Sequence, residues 1–404
     1  MILKIAWRNI WRSRVRSLVV ITSIALGVWA VIFLISFSSG MVNSYVNNTI
    51  QNEISHVQIH DPKFPEEKEI KYNLKDPELI LKTVESTPGV KAATLRTITM
   101  GMVSSSKGAR GVLISGVDTE LEGAVTQLDK NIVDGDYLDV ERRNPVLISS
   151  DLADKMNVKL RSKLVLTFQN TDGDITAGAF RVAGLFDTGN NAFDEFRVFV
   201  RKDDLSRLLG DSTMSHEVAM LLDDTDQLDT IMNSLKGDFP NLLVQSYKEI
   251  SPEIELFESQ IQLSATIFTF IVMLALIFGI INTMLMAVLE RYRELGMLMS
   301  IGMNKVRIFL MIMTETIMLG LISAPLGLLI GWGTVSWLSK AGINLSLYSQ
   351  GMQEFGMSDI VYPQLQSHFY WQLAIAVVIT ALLGSIYPAL KAIRLKPVEA
   401  IRKL

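Results

Sequence analysis

The sequence predicts an α-helical membrane protein with four transmembrane helices and a large mixed α/β extracytoplasmic domain inserted between spans 1 and 2. Three observations lead there. The 404 residues are 49% hydrophobic, more than suits a soluble chain long enough for two or three domains. The excess is gathered in four stretches: 17–52, 259–289 and 371–390 have no charged residue, and 308–339 has only Glu315. Each supplies the ~20 apolar residues that cross a ~30 Å hydrocarbon core. Between the first two lies a polar region of about 200 residues with strand and helix signals throughout.

Lysine and arginine orient the spans. Lys4, Arg8, Arg12, Arg14 and Arg16 precede span 1; Arg291, Arg293, Lys305 and Arg307 separate spans 2 and 3; Lys391, Arg394, Lys396, Arg402 and Lys403 follow span 4. Only Glu290, Glu294 and Glu399 oppose them, so the positive-inside rule puts both termini and the central loop in the cytoplasm. Residues 41–262 hold 36 Asp/Glu and 23 Lys/Arg, a net of −13 that an exported domain tolerates, and the overall −4 averages two opposite surfaces.

In chain order, residues 1–16 form a cytoplasmic interfacial helix, with Leu3, Ala6, Trp7, Ile10 and Trp11 on one face. Anchoring and topology are enough to account for its arginines, and no nucleic-acid partner is expected. Residues 17–52 are span 1 and a stalk, because Val42, Tyr45, Val46, Thr49 and Ile50 carry the 3-4 spacing past Phe37. The apolar run is too long for a cleaved signal and no A-x-A-like site follows, so it reads as a signal anchor. Residues 53–250 form the outer domain. Its strand candidates are 56–60, 111–115, 145–149, 163–168, 179–186, 197–200 and 217–222, and its helix candidates 77–86, 151–156, 203–209 and 225–236. Ser251-Pro252-Glu253 opens a second stalk and span 2, residues 251–289. Residues 290–305 are a cytoplasmic segment and 306–339 span 3, whose Gly327 and Gly331 permit close helix approach within the chain or between copies. A loop, 340–370, caps span ends; 371–390 is span 4 and 391–404 a cytoplasmic tail.

The most telling stretch is Glu290 to Gly302. On a helix, Tyr292, Leu295, Leu298 and Met299 make an apolar stripe, and Glu290 with Arg293 and Arg291 with Glu294 are i,i+3 pairs worth a few tenths of a kcal/mol each. Such pairs are too weak for a structural clamp. Joined at both ends to membrane helices, the segment is either a lever that receives force or an ordinary amphipathic interfacial loop.

Several chemistries are excluded by motif. No G-x-x-x-x-G-K-[ST] occurs, so any ATP is used through a partner, and there is no H-E-x-x-H or G-x-S-x-G. Zero cysteines exclude disulfides, thiolate metal sites and an N-terminal lipid. His56 and His60 share a face in a helix and in a strand, and two imidazoles are a weak metal signal, which leaves strand histidines or a weak metal pair. No catalytic residue, metal or cofactor is expected. Glu315, inside span 3, is expected to have a buried partner near the central loop rather than serve a proton relay.

Taken together, the chain resembles ABC-transporter permeases of the MacB/FtsX superfamily, most of all the lipoprotein-releasing LolC/LolE type. The resemblance is carried by Glu290-Arg-Tyr-Arg-Glu-Leu-Gly296 with Ser300-Ile-Gly302, by Tyr387-Pro-Ala-Leu-Lys-Ala392 with Lys396-Pro-Val-Glu-Ala-Ile-Arg402, by Trp7-Arg-Asn-Ile-Trp-Arg12 and 40–62, and by Gly135-Asp-Tyr-Leu138, 149–158 and 180–186. It implies an inner-membrane, multi-pass permease with a periplasmic outer domain, of which 53–115 and 214–250 form a porter-like part and 116–213 a second subdomain.

The resemblance also implies that residues 290–302 are a coupling helix seated in a cytoplasmic ABC ATPase dimer. Glu290, Arg291, Glu294, Leu295, Gly296, Leu298, Met299 and Gly302 are its candidate contacts, with Leu295 and Leu298 facing the ATPase groove. A second permease copy or paralogue completes the assembly, and a periplasmic chaperone is a further candidate partner. Phe33, Phe37, Met41, Ile261 and Phe268 are the candidate substrate cavity, suited to acyl chains because each buried CH₂ is worth about 0.8 kcal/mol. The expected function is ATP-driven release of lipoproteins or other lipidated cargo from the membrane. The alternatives are MacB-like efflux of small molecules or peptides and FtsX-like activation of a cell-wall hydrolase.

Overall fold

The computed structural model describes residues 2–141, 143–354 and 356–394. The chain divides into two compact units, one of Met1–Met41, Phe257–Ile343 and Val361–Leu404, the other of Val42–Leu256 and Asn344–Ile360.

The first unit is helical. Its elements are α1 (Ile2–Arg12), α2 (Arg14–Thr49) as far as Met41, α3 (Pro252–Glu290) from Phe257, α4 (Tyr292–Ser300), α5 (Lys305–Ala341) and α6 (Ser367–Ile393); the remaining ends of α2 and α3 belong to the second unit. The four predicted spans are α2, α3, α5 and α6. With 36 and 39 residues, α2 and α3 each exceed 50 Å at ~1.5 Å per residue, well beyond a ~30 Å hydrocarbon core. Val28 and Ile32 of α2, Ile280 of α3, Leu319 of α5 and Val377 of α6 meet in one apolar core. The glycine pair of α5 faces α2 within the same chain. A Cβ on Gly327 would lie 2.8 Å from the Ala25 carbonyl oxygen, and one on Gly331 would lie 2.5 Å from Ile32 Cδ1. Only glycine lets these two helices come so near. Trp29 Nε1 adds a hydrogen bond to Thr334 Oγ1 at 3.2 Å.

The second unit is built on a ten-stranded sheet. Its strands are β1 (Val57–His60), β2 (Val90–Ser104), β3 (Ala109–Val117), β4 (Ile132–Gly135), β5 (Pro145–Ser149), β6 (Lys163–Gln169), β7 (Ile175–Phe186), β8 (Arg197–Arg201), β9 (Glu217–Leu222) and β10 (Leu243–Ser246). They lie in the order β10-β1-β9-β2-β3-β8-β5-β7-β4, with β6 bridging β2 and β7. The pairs β3/β8 and β5/β7 are parallel and the rest antiparallel. Strand alternation sends Val198 and Val200 into one core with Ile114 and Phe180, and Phe199 into another with Phe186 and Leu138.

Seven strands and four helices stand where the spacing predicts them, whereas β2, β4 and β10 come without forewarning. The longest strand, β2, escapes a pattern search because both of its faces are buried and Thr94, Arg96, Thr97 and Thr99 occupy interior positions. A buried strand normally reads as an apolar run.

Candidate functional site

The segment between α3 and α5 is shaped by local backbone chemistry. Arg291 leaves the α region at φ −96°, ψ 18° and ends α3, and α4 begins at the next residue. Gly302, at φ +98°, makes the reversal after α4 in a conformation that favours glycine. Asn304 then caps α5, its side chain accepting from Val306 N at 3.0 Å.

The charges of this segment do not pair with one another as their i,i+3 spacing predicts. Glu290, Arg291 and Glu294 reach other helices instead. Glu290 pairs with Arg16 of α2. Glu294 accepts from Arg12 of α1 at 3.0 and 2.5 Å. Arg291 donates to both oxygens of Glu315 in α5 at 3.1 Å, and to the Asn9 carbonyl of α1 at 3.0 Å. Glu315 therefore has the buried partner expected of it. The expectation of a weak, self-contained knob is corrected: the α3–α4 junction and the first turn of α4, residues 290–294, are fastened to α1, α2 and α5, and the Arg291–Glu315 pair is largely shielded from solvent.

The expected outward stripe is corrected as well. Leu295 is 3% exposed and lies within the chain's own apolar core, against which Tyr292 and Met299 also pack. Gly296 is buried and Leu298 half-buried. The stripe turns inward because the bundle offers it an apolar partner that water does not. Outward lie Arg293, Met297, Ser300, Ile301 and Gly302, with Ile301 79% exposed.

Among the candidate cavity residues, Phe33 and Phe37 stack in a ladder with Trp29 along α2, at 6.0 and 6.2 Å between ring centres. Met41 and Ile261 are half-buried, and Phe268 is exposed. None of the five lines the apolar groove of about 500 Å³ in this unit, which is walled by Ala265, Met273 and Ile277 of α3, Leu373 and Thr380 of α6 and Ile35 of α2. Residues 265, 269, 273 and 277 follow each other by four along the groove; Ile261 continues that row one turn before its first lining residue, and Phe268 lies off one side of it.

At its other end α2 closes with a π-helical turn, Ile50–Ile54, held by polar side chains of the outer unit. Asn131 donates to Asn52 at 2.7 Å, Gln127 to Gln51 at 2.9 Å, and Asn48 to the Gly356 carbonyl at 3.0 Å. The Glu53 carbonyl accepts from Arg96 at 3.2 Å. Arg96 in turn binds Glu122 through Nε and Nη2 at 3.0 and 2.7 Å and Glu217 at 2.7 Å, all three side chains being buried. Burial opposes the Arg96 charge, but the two carboxylates outweigh it and hold the guanidinium above its ordinary value. Arg96 carried no sequence signal, since a lone arginine in a threonine-rich stretch reads as exposed.

His60 and His216 sit beside this network, each hydrogen-bonded within the fold. Burial pushes both imidazoles down, His216 to about 4. His216 Nδ1 accepts from Ile98 N at 3.1 Å and Nε2 donates to the Ile70 carbonyl at 3.1 Å, with the ring stacked on Phe64. His56 Nδ1 accepts from Leu222 N at 2.9 Å. Among the described residues no group of three or more His, Cys, Asp or Glu is arranged to hold a metal. In the closing stretch, Tyr387–Ala392 forms part of α6, with Pro388, Ala389 and Ala392 buried; Lys396–Arg402 lies outside the described residues.

Two family models match the chain, the MacB-like periplasmic core domain over residues 17–237 and the FtsX-like permease C-terminal over residues 266–397. An uncharacterized ABC transporter permease of Bacillus subtilis, YvrN, is 23% identical over 99% of this chain and 98% of its own length. The lipoprotein-releasing system transmembrane protein LolE of Haemophilus influenzae is 21% identical over 94% of this chain and 92% of its own. Among solved structures, the extracellular domain of the transporter YknZ from Gram-positive bacteria matches 47% of this chain and 99% of its own, at 14% identity and a TM-score of 0.34. The chain belongs to the MacB/FtsX superfamily of ABC-transporter permeases, with LolE-like similarity along nearly its whole length.

Proposed function

We propose that this chain is the force-transmitting permease of an ATP-driven transporter that releases lipoproteins from the inner membrane. A separate cytoplasmic ATPase dimer presses on α4; two permease copies, identical or paralogous, move together; the ATPase hydrolyses and the permease does not. The observation that carries this reading is the fastening of residues 290–294, where α3 passes into α4, to α1, α2 and α5 through Arg12, Arg16 and Glu315. A passive interfacial loop needs no such ties. A push on α4 reaches helices α2 and α3, both longer than a bilayer requires. Lipoproteins are favoured as cargo by the LolE relative, which aligns over 94% of the chain.

The surface pressed by the ATPase is the outward one, Met297 and Ile301 above all, while Leu295 and Gly296 hold the lever to its bundle. Ile301→Asp would place an unpaired carboxylate in an apolar contact, a penalty of several kcal/mol, and is expected to release the ATPase. Mass spectrometry of the purified complex, followed by ATP-driven release of a triacylated lipoprotein from proteoliposomes, tests the whole reading. Co-purifying lipoprotein that leaves the membrane only with ATP supports it. ATP hydrolysis stimulated by soluble peptides or small molecules, with no lipoprotein released, favours efflux. An ATPase that stays bound to Ile301→Asp at full stoichiometry refutes the assigned contact.

A further inference from the structure

Helix α1 divides along its length into three sectors. Ala6 and Ile10 are fully buried and Ile5 packs on the bundle core. Leu3, Trp7 and Trp11 form a second, apolar sector that stays 62%, 47% and 46% exposed, the two indoles edge to face at 5.9 Å. Lys4, Arg8 and Arg12 recur every four residues and, at ~100° per residue, form a cationic stripe flanking Trp11 on the side away from Leu3. All three are exposed. Exposed tryptophan and leucine beside such a stripe suit the boundary where hydrocarbon gives way to headgroups.

Arg12, the last of the stripe, is also the residue that holds Glu294 of α4, yet its side chain is 63% exposed. A phosphate lying along Lys4 and Arg8 comes within reach of it. We propose that Lys4, Arg8 and Arg12 bind the headgroup of an anionic phospholipid, and that its phosphate competes with the Glu294 carboxylate for Arg12. Anionic lipid then loosens one of the ties between α1 and α4. The site is for a lipid rather than a soluble anion because the exposed apolar sector adjoins the charges, and a free phosphate has nothing to place there. Each basic residue near an anionic surface contributes about fivefold in affinity.

Native mass spectrometry of the full chain in detergent tests this, with phosphatidylglycerol titrated against phosphatidylcholine of the same acyl chains. The wild type is expected to prefer phosphatidylglycerol. Lys4→Gln with Arg8→Gln should lower its affinity by roughly 25-fold, from two fivefold steps, and leave phosphatidylcholine unaffected. The charge-matched control, Lys107→Gln with Arg110→Gln in the outer unit, should change neither. Because competition is reciprocal, Glu294→Gln should raise phosphatidylglycerol affinity severalfold. Equal binding of the two lipids, an unchanged affinity in the Lys4/Arg8 variant, or displacement of the lipid by millimolar inorganic phosphate would overturn the site. An unaltered affinity in Glu294→Gln would overturn the competition.

Discussion

Two ion-pair networks, one in each unit, handle fixed charge in opposite ways. In the outer unit Arg96, Glu122 and Glu217 are sealed in the fold, with side-chain exposures of 3%, 1% and 6%, and every nitrogen of the guanidinium is used. Around α4, the Arg12–Glu294 and Glu290–Arg16 pairs keep one or both partners open to solvent, and only Arg291–Glu315 is shielded. A sealed network is expensive to break and hence rigid. An open pair is cheap to break, exchanges partners and gives way to screening. The charges around Arg96 are built to stay, and two of the three ties at residues 290–294 are built to yield.

Breaking the sealed network should have the largest effect. Arg96→Met strands two buried carboxylates and drops a bond to the Glu53 carbonyl, and removing one partner of a buried pair typically costs about 3–5 kcal/mol. Loss of hydrogen-exchange protection in β2 and β9 is the expected readout. Near-native protection there would mean that the network is ornamental and the comparison unfounded. Arg291→Met should come next. It strands Glu315 alone, at the lower end of the same range, and Arg291→Met with Glu315→Met should recover most of the loss because apolar replacement of a buried pair is often neutral. Failure of the double variant to recover would show that the Asn9 carbonyl contact, not the ion pair, holds α4.

How much of this was legible depends on the kind of force involved. The four spans announce themselves because burial in lipid demands long apolar runs, and Val57–His60 or Pro145–Ser149 because a buried strand is compositionally distinct. Strand β2 was hidden, since Arg96 is interior only in the company of Glu122 and Glu217, and Thr97 only by bonding the Met214 carbonyl, partners distant in sequence. The same holds at α4. Spacing placed Glu290 and Arg293, or Arg291 and Glu294, on one helical face, but an i,i+3 pair is worth a few tenths of a kcal/mol and loses to cross-helix partners that no local window contains. The inward turn of Leu295 was likewise undecided by periodicity, which gives a face and not its neighbour.

A third effect distinguishes the units by pH. His216 is neutral in the fold, its value pushed to about 4 by burial, while the unfolded chain takes up a proton below about 6.5. The unfolded state thus binds more protons between these values, and stability contributed by this group is full above about 6.5 and lost as pH falls towards 4, by roughly 3 kcal/mol in all. Asp194, pushed up to about 7 by burial despite its bonds from Thr188, has the opposite slope, so the wild-type profile is a partial cancellation. His216→Gln offers an acceptor and a donor in place of the imidazole, and the stability of its outer unit relative to wild type should rise as pH falls from about 6.5 towards 4. Parallel profiles for the two proteins would remove His216 from the account.

The smallest effect belongs to the open pair, and its smallness is the point. Arg12 and Glu294 lie 2.5 Å apart at their closest, yet their side chains are 63% and 45% exposed, and a pair in that setting is worth at most about 1 kcal/mol. Arg12→Gln should therefore leave the thermal unfolding of the chain within about 1 kcal/mol of wild type, and the difference should shrink further in high salt. It should still change how α4 is held. With Leu295 in the core and the Arg291–Glu315 pair intact, the segment stays docked, but the bond from α1 to its first turn is gone, and Glu294 should become more accessible while Met297 and Ile301 change little. Carbodiimide labelling of Glu294, read by mass spectrometry, separates the two quantities. Increased labelling at unchanged stability is the expected outcome. A loss of several kcal/mol would instead place Arg12 with Arg96 among the charges that the fold cannot spare, and the contrast between the two networks would fail at α4 itself.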